Sequence, residues 1–185
     1  VSAGNIGMKQ GLGVLGDAAA ARPADGAALC WIVAGDGAGK AALVEAAARQ
    51  ATGAVRFLPL QPEEAFAEML IAADVCVITQ QKGSGQFFFP SKLLTALGRA
   101  KPVLAVADRG SELARAVEEG GFGLVAAPDD PAAVARAAAA MATAGEGQLT
   151  EWGCNGLAWV GRFRQSTVLG AFEAGLERIA RAARH

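Results

Sequence analysis

The 185-residue chain is 52% hydrophobic and 19% charged, with a net charge of −1. That balance excludes a disordered segment and leaves no broad basic face for nucleic acid, so any phosphate site must be local. No apolar run approaches the ~20 residues that span a bilayer, and Val1 opens directly into a strand-like segment without a basic start, so a signal peptide is not expected in this stretch. Cys30, Cys76 and Cys154 form no CxxC pair, and the only histidine is His185, so no metal-ligand set is visible. Cys30 and Cys76 fall in expected strands and read as buried thiols of a reducing, cytoplasmic compartment. The chain opens without Met, which suggests a fragment of a longer protein.

In chain order, an expected strand over Val1–Gly4 runs into Gly4-Asn5-Ile6-Gly7-Met8-Lys9-Gln10-Gly11 and a helix over Lys9–Ala21. Small residues in such a turn let backbone amides approach a ligand, and Lys9 adds a point charge. The bland alternative is a plain glycine turn. A strand over Ala28–Ala34 follows, then Gly35-Asp36-Gly37-Ala38-Gly39-Lys40 and a helix over Ala38–Ala51. This glycine run fails the GxxxxGK[ST] phosphate loop by one spacer and by Ala41, so Asp36 reads as a turn-former and Lys40 as solvated. A strand over Ala54–Leu58 ends in Pro59-Leu60-Gln61-Pro62, with Pro62 opening a helix to Ala72.

A strand over Val75–Thr79 leads to a polar, glycine-containing loop over residues 80–89, where an open α/β sheet places its ligand crevice. Pro90 and Ser91 then open a helix over Ser91–Arg99. Proline presets φ, and serine can accept a bond from an orphan amide. Lys92 beside those amides makes an anion site. A tight turn and a buried strand over Pro102–Ala107 follow. Gly110-Ser111-Glu112 opens a helix over Ser111–Glu119, in which Glu112 serves either a ligand hydroxyl or the helix dipole. A strand over Gly123–Ala126 precedes Asp129-Asp130-Pro131, a cap for a helix over Pro131–Ala142. Thr143–Gly147 reads as a loose joint before helices over Leu149–Val160 and Ser166–Arg184. Leu29–Val33 and Val103–Val106 are apolar on both sides of the pleat, as in a parallel sheet covered on both faces. The β-α alternation predicts an α/β fold, a Rossmann-like doubly wound parallel sheet of about six strands with helices on both faces.

Over about residues 1–130, the order of these motifs resembles the nucleotide-sugar glycosyltransferases built of two Rossmann-like domains. These are the GT-B, retaining, group 1 type. Within them it is most similar to the Pro-Ser-Lys subgroup that includes transferases of extracellular polysaccharide synthesis, of the colanic-acid type. The matching stretches are the Gly-Asn-Ile-Gly turn, Val33-Ala34-Gly35-Asp36-Gly37, Phe57-Leu58-Pro59, Ala73-Asp74-Val75, Pro90-Ser91-Lys92, Lys101-Pro102-Val103 and Ser111-Glu112. The resemblance implies that residues 1–185 are one domain, the carboxyl-terminal, donor-binding half of a two-domain enzyme whose amino-terminal acceptor domain is missing here. Hexosyl transfer from a nucleoside diphosphate sugar (UDP or GDP) to a hydroxyl acceptor, with retention and without metal or cofactor, is the implied reaction.

The isolated chain is then expected to be inactive. Lys9 and Lys92 would act catalytically on the leaving diphosphate. Gly4, Asn5, Gly7, Leu60, Gln61, Pro90, Ser91, Leu93, Thr95, Ser111 and Glu112 would bind the donor, Leu60 and Gln61 beside the base. Asn5 stands near a place where many relatives have Arg, and Phe87 and Thr95 stand where many have a glutamate pair, which leaves Glu112 as the candidate acidic residue. A lipid-linked saccharide is the implied acceptor, and the inner face of the membrane the implied place of the longer protein. The last helix would mark a contact between domains. The rival reading is a non-catalytic nucleotide-binding or sensor α/β domain.

Overall fold

A computed structural model describes residues 1–7, 10–21, 29–49, 55–85 and 89–182. Six strands alternate with helices: β1 (Ser2–Asn5), α1 (Gly13–Ala20), β2 (Trp31–Asp36), α2 (Lys40–Arg49), β3 (Val55–Leu58), α3 (Glu63–Ala72), β4 (Cys76–Thr79), α4 (Ser91–Leu97), β5 (Val103–Val106), α5 (Glu112–Gly120) and β6 (Gly123–Ala126). Helices α6 (Pro131–Thr143), α7 (Gly145–Val160) and α8 (Gln165–Ala182) complete the chain, with a 3₁₀ turn at Gly161–Phe163 before α8. The expected ends near Ala28, Ala54, Ala51 and Arg184 lie outside the described residues.

All strand pairs are parallel, and the strands form two three-stranded sheets, β1-β2-β3 and β4-β5-β6, rather than one sheet of six. Among the described residues, backbone bonds join the sheets at the foot of β1, where Val1 N donates to the Val75 carbonyl at 2.7 Å and Val77 N donates to Val1 O at 2.7 Å. Higher up, the Lys92 ammonium donates to the Asn5 carbonyl at 3.2 Å. The strand order read across both sheets is β3-β2-β1-β4-β5-β6, so the winding reverses between β1 and β4. A reversal of this kind opens a crevice at the carboxyl ends of the strands.

Burial on both faces holds the layers together. Val103 and Ala105 pack with Leu93, Leu97, Leu113, Val117 and Phe122 under α4 and α5, whereas Leu104 and Val106 pack with Leu15, Val134 and Met141 under α1 and α6. The period-two alternation sends neighbouring residues of β5 to opposite faces, and both faces are covered. Helix α7 lies against α4 through glycines. A Cβ on Gly153 would stand 2.3 Å from the Ala100 carbonyl oxygen, which shows how closely the backbones approach.

Several boundaries differ from expectation for local reasons. Helix α1 begins at Gly13, after Gly11 at φ +60°; the expected start at Lys9 lies outside the described residues. Pro62 is the N-cap of α3, not its first residue. Pro90, not Ser91, is the N-cap of α4, so the Ser91 hydroxyl is already one step inside the helix and caps nothing. Helix α4 stops at Leu97 because the chain turns through Ala100 at φ +52°. The expected loose joint is a sharp corner instead: Ala144 separates α6 from α7, and Gly145 takes φ +76°. Cys76 is buried as expected, but Cys30 precedes β2 and is exposed.

Candidate functional site

The crevice between β1 and β4 is organised around Lys92. Helix α4 starts at the buried Pro90 and carries Lys92 on its first turn, half-buried against β1. Gly4 makes this approach possible. It sits at φ +112°, and a Cβ there would lie 3.0 Å from Lys92 Cε. The Lys92 ammonium donates to the Asn5 carbonyl at 3.2 Å and to Gln10 Oε1 at 2.9 Å. By alternation along β1, the Asn5 carbonyl lies on the edge that faces β4, where no strand pairs with it. Burial pushes the Lys92 pKa down to about 8, because the charged form loses hydration that two neutral acceptors only partly replace. A cavity of about 130 Å³ adjoins this lysine, lined among others by Ala3, Gly4, Phe66, Ile78, Ser91 and Thr95.

The structure therefore brings together Gly4, Asn5, Ser91, Lys92 and Thr95 from the expected site. Gly7 belongs to the same β1–α1 turn, where its carbonyl accepts from Gln10 N at 3.1 Å. Lys9 and Phe87 lie outside the described residues. Leu93 is wholly buried in the core under α4, so its side chain serves packing. The neighbouring turn after β2 is a structural brace. Ile6 N donates to Asp36 O at 2.8 Å, Gly39 N donates to Ile6 O at 2.9 Å, and the Asp36 carboxylate accepts from Gly37 N. Lys40 lies 3.9 Å from Asp36.

Two further groups stand on the same sheet edge. After β3, Leu60 is 66% exposed, and the Gln61 amide donates to the Pro59 carbonyl at 2.8 Å, which stiffens the loop. After β5, Ser111 is the buried N-cap of α5, its Oγ accepting from Ala114 N at 3.1 Å. Glu112 is exposed and ion-paired to Arg115 one turn along the helix, the arrangement of an acidic first turn that serves its own helix. Asp130 caps α6 through Ala133 N at 2.8 Å, while Asp129 pairs with Lys82. Among the described residues no group of His, Cys, Asp and Glu is placed to hold a metal ion, and no described helix is long and apolar enough to cross a membrane.

Sequence reasoning missed three parts of the site. Gln10 reaches Lys92 across 82 positions of chain, a contact that no local pattern announces. The loop after β4 is tied down by Gly83 N donating to Asp108 Oδ2 at 2.7 Å and by Lys82 on Asp129. Phe89, just ahead of Pro90, stacks on Trp159 of α7 with centroids 6.2 Å apart, and Trp159 also meets Phe122, Phe163 and the Arg162 guanidinium. The Phe-rich composition before Pro90 was the one available signal for that anchor.

Known proteins resemble this chain in sequence and in fold. The profile of the family described as glycosyl transferases group 1 matches residues 1–144. A curated relative from Pseudomonas aeruginosa, named as the probable glycosyltransferase WbjE, is 34% identical over 136 residues, 72% of this chain and 33% of its own. WcaI of Escherichia coli strain K12, named for colanic acid biosynthesis, is 31% identical over 115 residues, 62% of this chain and 28% of its own. The chain thus spans about a third of the length of these curated relatives. Among solved structures, Anabaena HepE in complex with UDP and glucose superposes with a TM-score of 0.71 at 21% identity, covering 96% of this chain and 48% of that one. The α,α-trehalose 6-phosphate synthase of Burkholderia multivorans superposes with a TM-score of 0.76 at 16% identity, covering 99% and 42%. At such identities the likeness shows the fold, and it is that of Rossmann-like GT-B domains.

Proposed function

The chain belongs to the glycosyl transferases group 1 family, and from that premise we propose that it is the donor-binding, carboxyl-terminal half of a longer two-domain transferase. The proposed reaction moves a hexosyl group from a nucleoside diphosphate sugar to a hydroxyl acceptor, with retention, in polysaccharide or glycolipid synthesis. Family membership favours this reading over a non-catalytic sensor domain.

One observation carries the assignment of the site: a partly desolvated ammonium, Lys92, stands at the point where the two sheets part and, among the described residues, is held by neutral groups. A carboxylate partner would cancel its charge. Carbonyl and amide oxygens orient it and leave the charge for a ligand. When the glycosidic bond breaks, negative charge grows on the leaving diphosphate, and a fixed cation in a low-dielectric cleft stabilises it; one such contact is worth roughly 3 kcal/mol of barrier. Lys9 would add a second cation from the β1–α1 turn. Leu60 and Gln61 offer the base an open platform after β3, and Ser91 and Thr95 offer hydroxyls beside Lys92. The proposed scheme uses no metal or cofactor. The acceptor, proposed as a lipid-linked saccharide at the inner face of the membrane, would be bound by the amino-terminal half.

Calorimetric titration with UDP, GDP, ADP and dTDP tests the reading. One nucleoside diphosphate should bind, and Lys92→Ala should weaken it by ~1.5–3 kcal/mol, the range for a charge-assisted bond, while Lys40→Ala leaves it unchanged. Binding that depends on Lys40 and not on Lys92 would move the site to the wrong turn and overturn the assignment.

A further inference from the structure

We propose that Gln10 is a positioning residue for Lys92: its side-chain oxygen, together with the Asn5 carbonyl, aims the ammonium so that one N–H is left for an anionic ligand. This rests on the donor-site reading above.

The chemistry of the pair fixes its orientation. An ammonium has three donors and no acceptor, so the Gln10 amide must turn its oxygen, not its nitrogen, toward Lys92, as the 2.9 Å contact with Oε1 has it. A lysine side chain is flexible, and one acceptor would leave it free to swing about that bond. Two acceptors fix it: Asn5 O at 3.2 Å from the end of β1 and Gln10 Oε1 from the start of the following turn. Gly4 adds a wall, since Lys92 Cε lies against its backbone. Among the described residues the ammonium has no charged partner. Besides Lys92, the titratable side chain lining the adjoining cavity is the Cys76 thiol, and no carboxylate is among the lining residues. With so few interactions favouring the cation, each matters to its charge state. Burial already holds the Lys92 pKa at about 8, so removal of one acceptor lowers the charged fraction near neutral pH.

The test reads Lys92 directly, in the ligand-free 185-residue chain, by following its Cε and Nζ resonances in lysine-labelled protein, assigned through Lys92→Arg. Gln10→Leu keeps the bulk and removes the acceptor, and should lower the Lys92 pKa by about one unit. Gln10→Glu supplies a charged acceptor of the same length and should raise it by about one unit or more. The affinity for UDP should follow: its alkaline limb moves to lower pH in Gln10→Leu and to higher pH in Gln10→Glu. A residue that merely packed the turn would change affinity evenly across pH and leave the limb in place. If both variants leave the Lys92 pKa within about 0.3 unit of the parent, the proposal is overturned. Should Gln10→Leu fail to fold, the upward shift in Gln10→Glu decides alone. If UDP affinity is indifferent to Lys92→Ala, the donor-site reading falls, and the ligand-free titration still decides whether Gln10 positions Lys92.

Discussion

Affinity for a nucleoside diphosphate should fall steeply above pH 8, and the structure gives the slope. Lys92 titrates at about 8 in the unliganded chain, lowered by burial from an ordinary value of 10.5. Only the protonated lysine attracts a diphosphate, so apparent affinity scales with the charged fraction. With a pKa of 8 that fraction is about one half at pH 8, one tenth at pH 9 and one hundredth at pH 10. Binding should weaken roughly tenfold per pH unit above 8 until the pKa of the bound lysine is reached. Binding near pH 9 should also take up roughly half a proton or more, which calorimetry in two buffers of different ionisation enthalpy reads directly. Arginine does not deprotonate in this range, so Lys92→Arg should flatten the profile even if its geometry costs affinity. For stability the same shift has the opposite sense. The unfolded lysine keeps its proton up to about 10.5 while the folded one loses it at about 8, so folding gains stability as pH rises between these values. An affinity profile flat to pH 9.5, or one whose limb persists in Lys92→Ala, would refute the reasoning.

Two structural predictions bear on the frame that holds this lysine. A Cβ on Gly153 would meet the Ala100 backbone oxygen at 2.3 Å, whereas one on Gly156 would meet the movable Leu97 Cδ2 at 2.6 Å; Gly153→Ala should therefore cost about 1–3 kcal/mol and Gly156→Ala less, with urea unfolding as the readout and the reverse order as the refuting result. Ser111→Ala should cost about 1 kcal/mol through loss of the α5 cap, whereas Glu112→Gln, whose carboxylate already serves Arg115, should stay within about 0.5 kcal/mol and leave UDP affinity unchanged; a selective loss of affinity for the complete nucleotide sugar in Glu112→Gln would restore Glu112 to the donor site.

The alternation of short apolar runs with helices was enough to read six strands and their order along the chain, most plainly at β5, whose four apolar residues are buried on both faces. The cap before α6 was legible for the same local reason, since a short polar side chain ahead of an apolar periodicity has one common use, whereas Ser111, expected at the donor site, is the cap of α5. What escaped was set by distance along the chain or by backbone geometry. The parting of the two sheets lies where Lys92 meets Gly4, and the brace on the ammonium follows from Gln10, both contacts between segments some eighty residues apart. Positive φ at Ala100 trimmed a helix that propensity alone would extend. Cys30 looked like a strand residue from its apolar neighbours, yet it lies one step before the β2 ladder begins.

The choice of neutral partners for Lys92 has a cost that explains the rest of the site. A carboxylate in place of Gln10 would secure the proton at any physiological pH but would repel a diphosphate and occupy the cation between turnovers. An amide and a backbone carbonyl avoid both, yet they stabilise the charge weakly, and the pKa falls toward neutrality. Such an arrangement works only if the lysine cannot relax toward bulk water, where it would regain hydration and lose its aim. The constraint comes from several directions at once. Gly4 closes one side of the side chain, and α7 packs on Leu97 of α4 through Gly156 and on the Ala100 turn through Gly153. Phe89 on Trp159 holds the loop that enters α4. Each of these contacts keeps a short helix in place against a sheet edge that has no strand to pair with. The geometry that lets an ammonium wait, charged but unpaired, for an anion is therefore distributed through the fold rather than contained in the motif that carries the lysine.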